Sequence, residues 1–550
     1  MSIISISTGA DSKISDIDLK GFAAELGIKT LDEKDAKDYL TLLRSLESVL
    51  DSINQSPDYI PPDLLPHTTL EPRKFWRPEA TDNPFNAWSH QCNIQSAAPT
   101  SNLLSNRTIA IKDNISVGGL PTTLGLPSSL FPHAKHPTSP IDAVVVSRIH
   151  SASGIIKGTS TCESLCASPF SFTSATGPVH NPHLHNHTAG GSSSGSAVLV
   201  AAHQMASAAR TPGTGQTTQL AIGTDQAGSV RIPASYTGIY GLMPTSGLIP
   251  YTGAASMSPM IDHIGPLAAS LEDVAALLEV MAGYDGYDPR MTPESPLSAH
   301  VKPYVALIQQ TREQIHSTPK PARNLRVGII KESCYMPGVT PAVRAVVSEA
   351  AMKYFAAAGA AGKPSGQLSF LPPHTEVQWP LSQDAYEMLT ALNPATVNIM
   401  LSEVYGRNCF MAGIERKAHR LVFALRAAYD AALEEVDILV TPCAPGVAMA
   451  HPELVGGGGG GGERVSILER LGVAVGLTGN TCPFNITGHP AMNVPCGLSA
   501  AEGYAEVELP VGMQIVARRR RDEELLEVAA LFEWGWELCK SAGEGFYQDL

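Results

Sequence analysis

Two glycine- and serine-rich loops and one lysine are the residues of this chain that could perform chemistry together. The first loop covers residues 190–195 (GGSSSG), the second covers residues 223–229 (GTDQAGS), and Lys112 lies upstream in the segment IKDN. A serine hydroxyl is a poor nucleophile near neutral pH, so it needs a neighbouring base and donors for the developing oxyanion. Lysine and serine can supply this without histidine. The residue types therefore predict hydrolysis through a serine ester.

The sequence around the loops favours turns inside a packed domain. An apolar run, residues 197–202, follows the first loop directly, which argues against a solvated linker. Small residues precede Ser229 in the second loop, and such a turn lets backbone N–H groups converge on one point, as in an oxyanion hole. Asp225 and Arg231 flank Ser229, and we expect them to form a structural ion pair.

The wider pattern predicts an α/β fold, because short apolar runs alternate with helical periodicity and glycine loops. We expect strands or strand-like runs at residues 108–111, 143–146, 327–330, 436–442 and 511–517, and helices within 18–53, at 341–358 and at 522–540. The proline-rich stretch 56–86 predicts an extended connector.

These elements suggest how the chain is divided. We place an N-terminal helical segment with its proline-rich connector at residues 1–89 and a single catalytic domain at residues 90–550. Within the catalytic domain, residues 300–465 are expected to be a variable region that shapes the substrate pocket. The seven consecutive glycines at 456–462 predict a flexible loop.

Composition narrows the class of protein. Of 550 residues, 43% are hydrophobic and 16% are charged, which is typical of a globular chain with a large core. The net charge of −14 argues against nucleic-acid or membrane-surface partners and favours a small neutral ligand. The arginine run 518–521 is followed by acidic residues and is expected to be solvated.

The expected compartment is the cytoplasm. Nine cysteines without regular spacing are typical of a reducing environment, and we interpret the Cys162 and Cys166 pair as buried thiols. The amino terminus lacks a secretory signal pattern, and no apolar window reaches the length of a membrane span.

Taken together, the motifs resemble the amidase signature family. Lys112 in IKDN, the GGSSSG loop and residues 223–235 (GTDQAGSVRIPAS) carry the likeness, which extends across residues 90–535. The chain looks most similar to bacterial amidases encoded beside nitrile hydratases. The resemblance implies a mixed central β-sheet flanked by helices on both faces, here with an N-terminal helical extension. It implies no metal or organic cofactor, and it is compatible with a homodimer.

The family pattern also implies roles for individual residues. Ser229 would be the nucleophile, Ser192 a relay whose peptide bond is cis, and Lys112 the base. The oxyanion hole would be formed by the backbone N–H groups of Gln226, Ala227, Gly228 and Ser229. Ala167 and Gln226 are candidates for the substrate pocket. A charged lysine cannot accept a proton, so the mechanism requires Lys112 to be buried away from water.

The chain departs from the family pattern in three places. Ser192 and Ser229 are 37 positions apart, about a dozen more than in the family, and we expect the surplus within residues 207–218 to loop out of the sheet. Ala227 replaces a glycine, which requires an ordinary backbone conformation or tolerated strain. Ala167 replaces a bulky aromatic residue, which would widen the acyl pocket.

Other functions are consistent with parts of the sequence. Residues 191–195 also fit the G-x-S-x-G elbow of an esterase with Ser193 as nucleophile, for which His263, His451 or His489 would be the base. The histidines at 180, 183, 185 and 187 could bind a metal, although a solvated loop is favoured.

The substrate stays open at this point. The chain could be a subunit of a glutamine-dependent transamidating complex. Within the amidase interpretation, a carbamate (urethane) could replace the carboxylic amide as the small-molecule substrate, because the same serine chemistry opens both.

Overall fold

The computed structural model describes residues 12–57, 59–209, 216–318, 321, 325–358, 382–409, 413–452 and 466–541. The described residues divide into two compact units, residues 1–63 and 64–550. This division lies upstream of residue 89, because the segment after residue 63 contributes a strand to the sheet of the larger unit. In the described part of the chain, no helix is long and apolar enough to span a membrane.

The larger unit is built on one sheet of eleven strands. The strands are β1 (Phe75–Trp76), β2 (Trp88–Ile94), β3 (Thr108–Lys112), β4 (Ile155–Ser160), β5 (Leu220–Asp225), β6 (Tyr240–Met243), β7 (His263–Ala268), β8 (Val327–Ile329), β9 (Ile438–Pro442), β10 (Ala491–Ala501) and β11 (Tyr504–Val516). Their order across the sheet is β1-β2-β4-β3-β5-β7-β6-β10-β11-β9-β8.

Fourteen helices lie within the described residues. They are α1 (Asp16–Glu25), α2 (Glu33–Gln55), α3 (Val144–Ser151), α4 (Ser194–Ala209), α5 (Arg231–Thr237), α6 (Leu271–Met281), α7 (Tyr304–Ser317), α8 (Pro341–Ala358), α9 (Gln383–Leu392), α10 (Pro394–Cys409), α11 (Gly413–Ala432), α12 (Ile467–Gly472), α13 (Cys482–Thr487) and α14 (Asp522–Ser541). The helices predicted at 341–358 and 522–540 are confirmed as α8 and α14.

The smaller unit contains the predicted N-terminal helices. Ser15 begins α1 with a reciprocal capping box to Asp18, and the side chain of Asp32 caps the first turn of α2. Such caps satisfy N–H groups that have no partner inside a helix. The helical interpretation of residues 18–53 is therefore confirmed, with a break between the two helices.

The sheet of the larger unit is mixed. Strand β3 pairs in parallel with both β4 and β5, and β8 pairs in parallel with β9, whereas the other strand pairs are antiparallel. Ile109 and Ile111 of β3 pack into one hydrophobic cluster and Ala110 packs into another. Because successive side chains of a strand point to opposite faces, the sheet is covered on both sides. The predicted α/β fold is confirmed.

Parallel pairing places the candidate catalytic residues at the carboxyl end of neighbouring strands. Ile111 of β3 is in register with Ile222 of β5, and Lys112 is in register with Ser160 of β4. The carboxyl ends of these three strands therefore lie side by side, which is where ligands bind in open α/β sheets. The loops that follow β4 and β5 carry the two serine motifs.

One strand-like run is a helix instead. Ala143 is the N-cap of α3 and residues 144–146 are its first turn, and Val145, Val146 and Ile149 of this helix are fully buried. A short apolar run fits a buried helix as well as a strand, so periodicity could not distinguish them. The arginine run also differs from the prediction, because Arg518 donates to the carbonyls of Leu433 and Val436 and is only partly exposed.

Two predicted loops cannot be compared with the structure. The glycine run at 456–462 lies outside the described residues, and so do residues 210–215 of the expected insertion. The described part of that insertion extends α4 to Ala209, and β5 begins at Leu220.

Candidate active site

Lys112 is the last residue of β3 and is fully buried. Its Nζ lies 2.8 Å from Ser192 Oγ, 2.8 Å from Thr224 Oγ1 and 3.2 Å from the carbonyl oxygen of Thr224. The burial that the sequence requires of Lys112 is therefore present. A buried amine with three polar partners is fixed in position, and one of these partners is the hydroxyl of the first loop.

Ser192 is held against the base by its own loop. The Gly191–Ser192 peptide bond is cis, as the resemblance implies. Gly191 donates to the carbonyl of Pro169 at 2.8 Å, and the carbonyl of Ser192 accepts from Glu163 N at 3.3 Å. A Cβ atom at position 191 would collide with the carbonyls of Ser168 and Phe170, so only glycine fits.

Ser229 lies at the end of the second loop, just before α5. Its carbonyl accepts from Ser193 N at 3.2 Å, which joins the two serine loops directly. Ser229 is 8% exposed, whereas Lys112 and Ser192 are not exposed at all. Of the three predicted catalytic residues, Ser229 is thus the least buried.

Asp225 shapes the turn that carries Ser229. Its Oδ1 accepts from Gly228 N at 2.7 Å, and its Oδ2 accepts from Val230 N at 3.0 Å. Arg231 pairs with both carboxylate oxygens, at 2.9 and 3.0 Å, and both side chains are fully buried. Burial opposes ionisation of Asp225, but Arg231 and the surrounding donors hold the pKa of its carboxyl below the usual value. The structural ion pair expected from the sequence is confirmed.

The N–H groups of this turn do not all face the same way. The resemblance predicts that the Gly228 N–H is part of the oxyanion hole. In the structure this N–H donates to Asp225 Oδ1 and is not free for an oxyanion. Within the described part of the chain, the N–H groups of Gln226, Ala227 and Ser229 donate to no backbone or side-chain acceptor. Ala227 does not adopt a positive φ, whereas Gly228 has φ 125°. The alanine is therefore unstrained, and the position that requires glycine follows it.

Two buried carboxyl groups lie beside the catalytic residues. Asp113 accepts from Ser89 Oγ at 2.5 Å and from Thr123 N at 3.1 Å. Glu163 accepts from Thr173 N and Thr173 Oγ1 at 2.7 Å and from Ser194 Oγ at 2.8 Å. Burial raises the pKa of each carboxyl to about 7. Burial thus disfavours the charged form of these two carboxyl groups.

The two pocket candidates occupy different surroundings. Gln226 is 2% exposed and donates from Nε2 to Tyr251 Oη at 3.0 Å. Ala167 is partly exposed and follows a short 3-10 turn, and its carbonyl accepts from Asn393 Nδ2 at 3.3 Å. Asn393 belongs to the region 300–465, so that region contacts the turn containing Ala167.

The residues of the esterase interpretation are not arranged as a triad. Ser193 is fully buried, and its hydroxyl donates to the carbonyl of Thr224 at 3.2 Å. The ring nitrogens of His263, His451 and His489 contact Ile261 O, Ser171 Oγ and Thr487 Oγ1, respectively. None of these contacts involves Ser193.

The ring nitrogens of His183, His185 and His187, before the first loop, contact protein oxygens. His183 Nε2 lies 3.0 Å from the carbonyl of Thr237, and the rings of His180 and His185 stack with centroids 3.9 Å apart. Burial lowers the pKa of His180 to about 4. Among the residues that the structure describes, no group of three or more His, Cys, Asp or Glu side chains could hold a metal ion. Cys162 and Cys166 are both buried, free thiols.

The structure adds residues that the sequence analysis did not single out. Thr224 contacts Lys112 through two oxygen atoms, and Asn114 donates to Thr224 Oγ1 at 3.2 Å. Thr481 Oγ1 donates to the carbonyl of Ala227. Asn114 lies in the IKDN segment and Thr224 lies in the second serine loop, so both residues belong to motifs that the sequence already marks as functional. Thr481 lies 252 positions beyond Ser229, and nothing local marks it.

Comparison with known proteins places this site in a family. The family model described as Amidase matches residues 85–361 and 390–526. The chain belongs to the amidase signature family. The match includes both serine loops and Lys112, and the chain is accordingly an amide hydrolase.

Relatives within the amidase signature family are similar over most of their length. The chain is 31% identical to an enantioselective amidase of Rhodococcus rhodochrous over 489 residues, which covers 85% of this chain and 86% of the relative. It is 29% identical to a glutamyl-tRNA(Gln) amidotransferase subunit of Synechococcus sp. (strain WH7803), covering 81% and 86%. The crystal structure of the corresponding protein from Thermotoga maritima superposes with a TM-score of 0.56 at 23% identity, covering 81% and 87%.

Proposed function

We propose that this protein hydrolyses the C–N bond of a carboxylic amide through an acyl-enzyme on Ser229. The observation that carries the proposal is the 2.8 Å contact between Lys112 Nζ and Ser192 Oγ, inside a site where both residues are fully buried. Ser192 adjoins Ser193, whose N–H is bonded to the carbonyl of Ser229. The base, the relay and the proposed nucleophile are therefore linked in sequence and in space.

The partners of Lys112 support its role as the base. A neutral amine has two N–H donors and one lone pair. The carbonyl of Thr224 can only accept, and Thr224 Oγ1 can accept from Lys112 while donating to Asn114 Oδ1, 3.4 Å away. When the two N–H groups serve Thr224, the lone pair faces the hydroxyl of Ser192. This arrangement favours proton transfer from Ser192 to Lys112.

Acylation then follows with protons conserved. Ser192 passes its proton to Lys112 and takes the proton of Ser229, whose Oγ bonds to the substrate carbonyl carbon. The oxyanion is stabilised by the N–H groups of Gln226, Ala227 and Ser229. As the tetrahedral intermediate collapses, the proton returns from Lys112 through Ser192 to the departing nitrogen. Water then attacks the acyl carbon and gives its proton through Ser192 to Lys112; as the bond from the acyl carbon to Ser229 Oγ breaks, the proton returns through Ser192 to Ser229, and the acid is released.

The esterase alternative with Ser193 is disfavoured by geometry. An elbow serine must project its hydroxyl to the substrate, whereas Ser193 Oγ is buried and donates to the carbonyl of Thr224. A Cβ atom at Gly223 would lie 2.6 Å from Ser193 Oγ, so β5 packs tightly against this hydroxyl. Ser193 is better explained as a structural link between the first loop and β5.

Two variants separate these functions. Ser229→Ala is expected to lower the kcat for an anilide by about 10⁴-fold or more, because removing a nucleophile abolishes the covalent route. Ser193→Ala, the matched control one residue from the relay, is expected to retain activity within about tenfold, because it loses one neutral hydrogen bond. Circular dichroism of both variants verifies folding. Activity that survives Ser229→Ala and disappears in Ser193→Ala would overturn the proposal.

A substrate panel tests amide against carbamate hydrolysis. The panel contains an aliphatic amide, an anilide and a carbamate of matched acyl size, and we expect turnover of at least one of them. Turnover of the carbamate alone would identify a urethanase that uses the same three residues. The small side chain of Ala167 supports acceptance of bulky aryl groups. Activity on small aliphatic amides alone would contradict a wide pocket.

The similarity to amidotransferase subunits favours testing one further candidate. Glutaminase activity that appears only with a second protein chain would indicate a component of a transamidating complex, whereas turnover by the purified chain supports an independent hydrolase. All nine cysteines are unpaired, which supports a cytoplasmic location. A homodimer remains a proposal, to be tested by the mass of the purified protein in solution.

A further inference from the structure

Gln226 carries a buried polar atom that has no partner. The side chain is 2% exposed, and its Oε1 makes no hydrogen bond among the described residues, although Nε2 donates to Tyr251 Oη. A buried acceptor without a donor costs free energy comparable to a lost hydrogen bond. Gln226 lies three residues before Ser229 in the same turn, so its side chain starts next to the proposed nucleophile.

The orientation of the Gln226 amide is set by Tyr251. The tyrosine hydroxyl has one proton, and the carbonyl of Ala255, 3.1 Å from Tyr251 Oη, can only accept it. The tyrosine oxygen must therefore accept from Gln226, which places Nε2 towards Tyr251 and Oε1 away from it. If the amide were flipped, Tyr251 would donate to Gln226, and its oxygen would face the Ala255 carbonyl without a proton between them.

Tyr251 is itself firmly held. Its backbone N–H donates to Asp288 Oδ2 at 2.8 Å, and the guanidinium of Arg290 lies 4.1 Å from the centre of its ring. Arg290 also pairs with Asp288 at 2.7 Å. Tyr251 is 1% exposed, so its hydroxyl presents a fixed acceptor to Gln226.

A chain of hydrogen bonds connects Gln226 to the base. Asn114 Nδ2 donates to the carbonyl of Ala255 at 3.1 Å and to Thr224 Oγ1 at 3.2 Å. Thr224 Oγ1 lies 2.8 Å from Lys112 Nζ. The Gln226 amide is thus anchored to the end of the site where Lys112 and Ser192 exchange protons. In the proposed reaction, this is the end that faces the departing nitrogen.

We propose that Gln226 Oε1 accepts a hydrogen bond from the N–H of the departing nitrogen, and that Tyr251 is the positioning residue that turns the Gln226 amide towards it. The inference rests on the proposed function and names its substrate class. Suitable substrates are amides and carbamates with at least one hydrogen on the departing nitrogen. Esters and fully alkylated amides lack this hydrogen and leave Oε1 without a donor.

The test compares an anilide with the phenyl ester of the same acid. Gln226→Met keeps the length of the side chain and removes the acceptor. We expect the ratio of kcat/KM for the anilide to kcat/KM for the phenyl ester to fall by roughly 10- to 100-fold. Tyr251→Phe should lower the anilide rate by roughly three- to tenfold and spare the ester, because the Gln226 amide is then free to flip. The selective loss is a readout that general destabilisation would not produce.

The outcomes separate this inference from the proposed function. Equal losses for the two substrates, or no loss for either, would overturn the role of Gln226. If the native protein hydrolyses neither substrate through Ser229, the proposed mechanism fails. The role of Gln226 is then measured independently, by the binding of the anilide and the ester to the protein. In a Ser229→Ala background, calorimetry should show that Gln226→Met weakens binding of the anilide at least about fivefold more than binding of the ester. Equal weakening would refute the inference there too.

Discussion

The buried pair of Asp225 and Arg231 provides a quantitative test of how the nucleophile turn is held. Asp225→Asn leaves the guanidinium of Arg231 buried without its counter-charge. It also places an amide NH2 group among the N–H donors that surround the Asp225 carboxylate. Asparagine keeps one acceptor oxygen, so one bond to Arg231 and one bond to the N–H of either Gly228 or Val230 are lost with the other oxygen. Breaking a buried ion pair by removing one partner costs about 3–5 kcal/mol.

This cost can be converted into a melting temperature. The entropy of unfolding is about 2.1 cal/mol/K per residue, or about 1 kcal/mol/K for a unit of roughly 480 residues. The expected decrease in Tm for Asp225→Asn is therefore about 3–5 °C. The pKa of Asp225 is lowered in the folded state, so its stabilising charge is present above the unfolded value near 4 and is lost only as the pH falls below it. The decrease should be constant between pH 5 and 8.

A matched control is available on the surface. Asp437 pairs with Arg326 at 2.9 Å, the same distance as in the buried pair, but the two side chains are 29% and 47% exposed. Asp437→Asn is expected to cost about 1 kcal/mol or less and to change Tm by about 1 °C. Differential scanning calorimetry measures both variants. Equal shifts for the two substitutions would refute the argument that burial makes the Asp225 pair essential.

Three further predictions use other parts of the molecule. Glu163→Gln should become more stabilising relative to the native protein as the pH rises from 5 to 8. Burial raises the pKa of Glu163 to about 7 in the folded state, so ionisation of this carboxyl costs stability above its unfolded value of 4.5, by about 3 kcal/mol. A Tm difference between the two proteins that is independent of pH would contradict this. Phe532→Ala should destabilise by about 3–5 kcal/mol, because the ring is fully buried against Tyr354 and Phe355, and a loss below about 1 kcal/mol in calorimetry would contradict that packing. Lys112→Met should lower the kcat for an anilide by at least about 10³-fold with Tm little changed, and an active variant would exclude Lys112 as the base.

The sequence allowed much of the catalytic end of the sheet to be predicted. The resemblance brought together Lys112, Ser192 and Ser229, and the structure places Lys112 against Ser192 and bonds the two loops to each other. The predicted bounds of strand β3 and helix α8 agree closely with the structure, because their apolar patterns have sufficient length or clear flanking signals. These features depend on neighbouring residues along the chain, which a single sequence displays.

Features that depend on distant contacts could not be predicted. The family resemblance predicts that the Gly228 N–H is part of the oxyanion hole, and only the orientation of the Asp225 carboxylate reveals that this donor is occupied. The sequence predicts a strand where α3 begins at Val144, because a short apolar run shows no period. The role of Tyr251 depends on its contact with Gln226, which follows β5, whereas Tyr251 and Ala255 belong to the irregular loop after β6.

The most direct test of the central claim is the site of covalent labelling by an alkyl fluorophosphonate, a reagent that phosphonylates activated serines. Peptide mapping by mass spectrometry should locate the adduct on Ser229, and Lys112→Met should slow its formation by about 10²-fold or more because the serine is no longer deprotonated. A label on Ser193, or equally fast labelling of Ser229 without Lys112, would contradict the proposed mechanism.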